Sequence, residues 1–589
     1  MKLGAFTFVL HSHMPFYRGA GKWPHGEENL HEVMAETYVP LLEALTDLHE
    51  AGVPARITLG ITPVLAEQLA DPLIIQNFEA YVTGEIEAAA SEIERFEAKA
   101  DQHFLYLAHF YHDMYTRVLQ VFRERFGRDI IAGFRRLQDA GVVEIVTSGA
   151  THPYLPLMMR DSTIHAHLEI GKRATERHFG KAPNAIWLPE CAYRPGYYAV
   201  AEDGTQYERP GIEYWLQKAD LGLFFSESSA VEGGTLLGQT QQETREVMRE
   251  VTRVRELVPA IYDQAAQTIE EMDVESAGFV TEKYVVPFDM PLNAGGESGT
   301  SEAYLVRDSE VAVLGRNRIV GEQVWSAMFG YPGDGDYREF HRKDEVHGFQ
   351  YWRVTDNKAD LAYKLPYDPY KAGQRVQAHA AHFVKLVESQ LREYAETHGR
   401  AGIVASAYDT ELFGHWWFEG VEWLKEVLAR LAQSEYTQLA TASQCLTLCP
   451  AEKVIDLPES SWGHAGTHVT WINPETSWMW EAVHKAERRM EDLVERFPNA
   501  EGDAEVALNQ AARELVLLEA SDWECLYTTG QARQYAGDRF AEHVNRFNAL
   551  ADAVEQGDAS AAGLARQYGE RDNLFPDIDY KLFASRQPD

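Results

Sequence analysis

Gly4-Ala5-Phe6-Thr7-Phe8-Val9-Leu10-His11-Ser12-His13-Met14-Pro15 opens the chain and sets its architecture. The apolar part, residues 4–10, is too short for a secretory leader and lacks a small-residue cleavage site, so it reads as a buried strand. Two histidines follow it at a spacing of two, which in extended backbone puts both imidazoles on one side. Outward from there, short apolar runs alternate with helical patterns. ARITLG (55–60), VVEIVTS (142–148) and AIWLP (185–189) read as strands, and residues 30–51, 64–138 and 164–178 carry apolar residues at helical spacing. Strands fed by helices predict a parallel sheet covered on both faces. Residues 222–226 and 403–408 continue the set.

The pattern breaks over 227–345. Residues 239–275 are charged and read as one or two exposed helices, PLNAGGESGT (291–300) as a flexible loop, and 303–313 as a β-hairpin. This span is expected to be an excursion within a catalytic unit of residues 1–455. From 456 to 589 the chain becomes helical, with predicted helices at 475–496, 503–526 and 531–556.

Lys and Arg number 54 against 91 Asp and Glu, a formal net charge of −37. That argues against nucleic acid or an anionic membrane surface as the main partner, because phosphate binding needs a basic patch. No stretch approaches the ~18 apolar residues of a membrane span. Four cysteines without a CxxC pair suit a reducing compartment. The expected location is the cytoplasm.

Four segments carry chemistry. The first is His11-Ser12-His13 past the first strand, where an α/β barrel builds its active site. It is either a strand-end cap or a pair aimed at a ligand, and a metal reading needs a third donor. The second, Ser148-Gly149-Ala150-Thr151-His152-Pro153, turns sharply after another strand and presents His152. The third, Trp187-Leu188-Pro189-Glu190-Cys191-Ala192-Tyr193, sets Glu190 at a strand end among aromatics. Cys191 beside it lacks a dedicated base and reads as buried filler. The fourth runs from Tyr408 to Gly420: Asp409 closes an apolar strand, Glu411 and His415 stand at i, i+4, and four aromatics crowd within six residues. Two carboxylates at the ends of different parallel strands suit glycoside chemistry, one attacking the anomeric carbon and one protonating the leaving oxygen. Eight of the 13 tryptophans lie after residue 410, and SSWGHAGTHVTWINPETSWMW (460–480) is either a packed domain interface or a sugar groove.

These four segments, with Ala520-Ser521-Asp522-Trp523 as a fifth, resemble the ordered signature of glycoside hydrolase family 57. The runs at 21–28 (GKWPHGEE), 330–334 (GYPGD) and 351–355 (YWRVT) resemble the family's 1,4-α-glucan branching enzymes in particular. The resemblance implies an α/β fold: an incomplete (β/α)7 barrel with a helical or lid insertion and an α-helical C-terminal domain that completes the substrate groove. It implies Glu190 as nucleophile and Asp409 as general acid/base. His11, His13 and His152 would line the subsite of the attacked sugar. Trp23, Trp325, Trp462, Trp471 and Asp522 would bind substrate. No cofactor and no metal are implied. The partner is an α-glucan such as amylose or a glycogen-like chain, and oligomeric state is not implied. The family's branching enzymes carry a lid with a tyrosine near its tip, for which Tyr262, Tyr284 and Tyr304 are candidates here.

The expected reaction is retaining cleavage of an α-1,4 linkage and transfer to a 6-hydroxyl. The alternatives are a 4-α-glucanotransferase or α-amylase of the same family, a metal-dependent polysaccharide deacetylase or mannosidase using the HxH pair, and a non-catalytic glucan-binding protein.

Overall fold

The structure, a computed structural model, describes residues 2–22, 25–200, 206–239, 298–326, 329–356 and 358–586. Among the described residues, seven parallel strands form the wall: β1 (Gly4–Ser12), β2 (Ile57–Ile61), β3 (Val143–Val146), β4 (Ala185–Ile186), β5 (Leu223–Ser226), β6 (Ala312–Gly315) and β7 (Gly402–Asp409). Their order in space is β7-β1-β2-β3-β4-β5-β6, with a single bridge, Thr147 to Ile186, joining β3 to β4. Between β6 and β7 the described residues form no ladder. Two backbone bonds stand there instead, Asn317 N–H to the Ala405 carbonyl (2.8 Å) and Ile403 N–H to the Ser301 carbonyl (2.9 Å). The wall is the expected incomplete (β/α)7 barrel.

Alternation along the strands decides what faces inward. Phe6, Phe8 and Leu10 of β1 point out to the helices, where Phe8 stacks on Phe383 of the helix Pro369–His398 at 5.8 Å. Ala5 and Val9 point the other way, into a small interior core with Ala185, Leu223, Ala312, Leu314, Ile403 and Ala407. Period two continues that inward set to His11 on β1 and to Asp409 on β7, and the two are register partners. With Trp187 and Phe225, these side chains fill the interior of the barrel.

Helices cover the outside. Residues 64–138 form Pro63–Leu69, Pro72–Ala98, Gln102–Gln120 and Ile130–Asp139. Asp71 and Asp101 cap the second and third of these by accepting first-turn N–H groups. The C-terminal helices Ser477–Arg496, Asp503–Leu518, Asp522–Thr529 and Arg533–Gln556 share one core with Ile186, Leu188 and Tyr193 of the barrel.

Three expectations need correction. The span 227–345 is not wholly an excursion, because β6 lies inside it and pairs in parallel with β5. The hairpin is present, Ala303–Val306 running antiparallel to β6, but it sits on the wall. The helix expected over 503–526 breaks at 519–521, where Pro153 and Ala520 form a bridge and Ser521 N–H donates to the His152 carbonyl at 3.0 Å. Finally, Tyr304 is buried on a strand with its hydroxyl bonded to the Gly299 backbone, so it is no lid tip. Tyr262, Tyr284, the segment 239–275 and most of 291–300 lie outside the described residues apart from Gln239 and 298–300.

Candidate active site

At the C-terminal mouth of the barrel, three imidazoles stack. The His13 and His152 rings are 3.9 Å apart at 17°, and His11 lies 4.8 Å from the Trp187 ring at 12°. His11 Nε2 and His152 Nε2 are 3.0 Å apart. His13 Nε2 reaches both Asp522 oxygens (3.0 and 3.1 Å) and its Nδ1 meets Thr62 Oγ1 at 3.1 Å. Burial works against a charge on His13, but Asp522, with Glu190 and Glu411 near it, outweighs that and raises its pKa. Burial and the neighbouring His13 hold His11 and His152 well below the usual imidazole range.

Glu190 sits in a one-turn 3-10 element after β4, Pro189–Cys191. Its φ is 61° and that of Cys191 is 48°, two consecutive left-handed residues with side chains. His152 has φ 64°. Each costs on the order of 1–3 kcal/mol and persists only where surroundings impose it. Here the imposition is visible: Tyr193 and Ser460 form a bridge, and Trp462 N–H donates to the Glu190 carbonyl at 3.0 Å. The Glu190 carboxylate accepts from the Trp462 indole (2.6 Å to Oε2) and from Ser521 Oγ (3.3 Å to Oε1). Burial raises its pKa to about 7, assisted by Asp522 and Asp409 and opposed by Trp462 and His13.

Asp409 ends β7 beside His11. Burial and then the Glu411 charge raise its pKa to about 7, against Arg316 and His13. Glu411 accepts from the Tyr38 hydroxyl and from His13 N–H (3.1 Å), and burial raises it to about 7 as well. It shares no helix face with His415, whose Nδ1 bonds Glu36 at 2.6 Å, because Thr410–Leu412 is a short 3-10 turn. Gly414 then turns the chain at φ 104°, where a Cβ would lie 2.0 Å from the Glu36 carbonyl oxygen.

The structure thus brings together Glu190, Asp409, His11, His13, His152, Trp462 and Asp522. Trp462 joins them through its ring, 5.2 Å from Trp187. Trp325 stands apart with Trp416 as an exposed pair, 40% and 41% accessible with centroids 6.2 Å apart. Trp471 does not line an open groove: it is 2% exposed and stacks on Tyr154 at 4.3 Å. Trp23 lies outside the described residues. Sequence reasoning gave no role to Ser521, Glu411, Arg316 or Trp187. For Ser521 the signal was its place in the fifth motif. For Arg316, which donates to Glu227 at 3.2 Å, there was none.

Among the described residues, the one group with metal-compatible spacing is Glu514, His543 and Asp572. Its atoms are engaged by Gln510, Arg546 and Arg571, which makes it a buried ionic network of the helical domain. In the HxH pair, both His13 nitrogens have side-chain partners, Thr62 and Asp522.

Residues 7–458 match the model of glycosyl hydrolase family 57, and 482–583 that of the 1,4-alpha-glucan branching enzyme C-terminal domain. A 1,4-alpha-glucan branching enzyme of Thermococcus kodakarensis is 40% identical over 99% of this chain and 79% of that protein. Its crystal structure in complex with glucose and additives matches with a TM-score of 0.84 at 39% identity, covering 100% of this chain and 97% of that one. A GH57-type branching enzyme from Pyrococcus horikoshii gives 0.83 at 39% identity, covering 100% and 98%. The alpha-amylase AmyC from Thermotoga maritima gives 0.78 at 28% identity, covering 100% of both chains. With well over half its length matched by the family model and a 40% identical relative across nearly all of it, this chain belongs to glycoside hydrolase family 57.

Proposed function

We propose that this enzyme is a 1,4-α-glucan branching enzyme acting by retaining double displacement, with Glu190 as nucleophile and Asp409 as acid/base. The observation that carries the chemistry is the pairing of environments at one barrel mouth. Glu190 accepts two hydrogen bonds, which favour its charge, while Asp409 has the Glu411 charge beside it, which favours its protonated form. In the first step Glu190 attacks the anomeric carbon and Asp409 gives its proton to the leaving oxygen. In the second, Asp409 takes the proton of an acceptor 6-hydroxyl, which displaces Glu190. Two inversions retain the configuration. Trp462 and the stacked histidines surround the reacting sugar.

The branching assignment rests on the branching-enzyme relatives and on the C-terminal domain match. That domain also supplies Ser521 and Asp522 to the site, so it is part of the catalytic unit. No helix is long and apolar enough to cross a membrane among the described residues, and the partner is an α-glucan. Incubation with amylose, followed by proton NMR, tests the reading. New α-1,6 signals without matching release of reducing ends are expected. Reducing ends alone would indicate hydrolysis, the second reading, which the likeness to an alpha-amylase favours.

A further inference from the structure

A line of polar contacts runs from the barrel wall into the helical domain. His11 Nε2 lies 3.0 Å from His152 Nε2, His152 Nδ1 lies 3.0 Å from Ser521 Oγ, and Ser521 Oγ lies 3.3 Å from Glu190 Oε1. His11 and His152 are both buried, and the ring of His13, with Asp522 as its partner, stacks on His152. A second positive charge there is disfavoured, so both rings are neutral and each carries one N–H.

Two proton orders are then possible. In the first, His11 Nε2–H donates to His152 Nε2, His152 Nδ1–H donates to Ser521 Oγ, and the Ser521 hydroxyl donates to Glu190. His11 Nδ1 is left as a lone pair. In the second order every donor is reversed. Ser521 donates to His152 and turns oxygen lone pairs toward the Glu190 carboxylate, while His11 Nδ1 carries a proton. That atom is buried with no hydrogen-bond partner among the described residues. His11 Nδ1 is unpartnered in either order, whereas oxygen lone pairs facing a carboxylate, found only in the second, repel it. The contact at Glu190 Oε1 therefore selects the first order while Glu190 is ionised.

We propose that Ser521 is a positioning residue for the nucleophile: it ends a one-way hydrogen-bond chain that starts at His11, passes through His152, and donates to Glu190 Oε1. The proposal rests on Glu190 being the nucleophile. Ser521 is held for this task by backbone contacts, its N–H on the His152 carbonyl and its neighbour Ala520 bridged to Pro153. The break between the helices Asp503–Leu518 and Asp522–Thr529 is what frees those groups. The other groups facing Glu190 are the Trp462 indole, Asp522, His13, His152 and Asp409. None of them donates to Oε1.

The test uses the full-length enzyme as Ser521→Ala and Ser521→Thr, with the activity on amylose followed against pH. Loss of a donor to the carboxylate raises the Glu190 pKa. The ascending limb of the profile in Ser521→Ala is therefore expected to move up by about one pH unit, and Ser521→Thr, which keeps a hydroxyl, to restore it. In the parent enzyme with 15N-labelled histidine, His152 is expected as the Nδ1–H tautomer and His11 as Nε2–H, a reading that needs neither turnover nor a variant that folds. The opposite tautomers, or a parent-like limb in Ser521→Ala, would overturn the proposal. Glu190→Gln measured alongside separates the two claims. If it is inactive while Ser521→Ala keeps the parent limb, only the role of Ser521 fails; if it is active, the nucleophile assignment fails and this proposal with it.

Discussion

Trp462 holds Glu190 twice, its main-chain N–H on the Glu190 carbonyl at 3.0 Å and its indole N–H on Oε2 at 2.6 Å. The first contact fixes the strained turn, and the second favours the charged carboxylate. Trp462→Phe keeps the ring and the backbone bond and deletes only the indole donor. A hydrogen bond to a charged group contributes about 1.5–3 kcal/mol. We expect kcat to fall roughly 10- to 100-fold with the melting midpoint nearly unchanged. Parent-like kcat would mean that the indole bond does not serve the reaction.

The pH profile should be a narrow bell near neutrality. Activity rises as Glu190 loses its proton and falls as Asp409 loses its own, and burial raises both toward about 7. The two titrate as a coupled pair, so the apparent values belong to the pair. Glu411 adds negative charge beside Asp409 and thereby keeps its proton on. Glu411→Gln removes that charge, so the Asp409 pKa falls and the descending limb moves to lower pH. A descending limb that stays in place or moves up would rule out Glu411 as the group that tunes Asp409.

Two tryptophans with one expected role should separate in experiment. Trp471 is buried on Tyr154, so Trp471→Ala is expected to cost about 3–5 kcal/mol of stability. Trp325 is exposed beside Trp416. Trp325→Ala should leave the melt within about 0.5 kcal/mol of the parent and weaken use of long glucan chains more than short ones. Thermal melts paired with kinetics on short and long substrates check both. Equal losses of stability would refute the distinction.

Much of the barrel was legible because a strand buried on both faces reads as a continuous apolar run, and β1 to β5 and β7 all announce themselves in that way. β6 did not, because Ala312–Gly315 is four residues long and follows its own antiparallel partner, so it read as half of a hairpin. Glu190 and Asp409 were legible as acids ending apolar strands. Ser521 was not: helical periodicity runs through 503–526, and only tertiary contact with His152 interrupts it. Burial separates Trp471 from Trp325, and no local pattern carries it. Trp462 stands in the same aromatic stretch as Trp471, yet one bonds Glu190 and the other fills the core.

The central claim is that Glu190 becomes covalently glycosylated. Asp409→Ala lacks the base for the second step but does not need the acid when the leaving group is fluoride. Incubated with a maltooligosaccharyl α-fluoride, it should accumulate a stable adduct, and peptide mass spectrometry should find the glycosyl mass on the peptide bearing Glu190. An adduct on another residue, or fluoride release with inverted product and no adduct, would contradict the account.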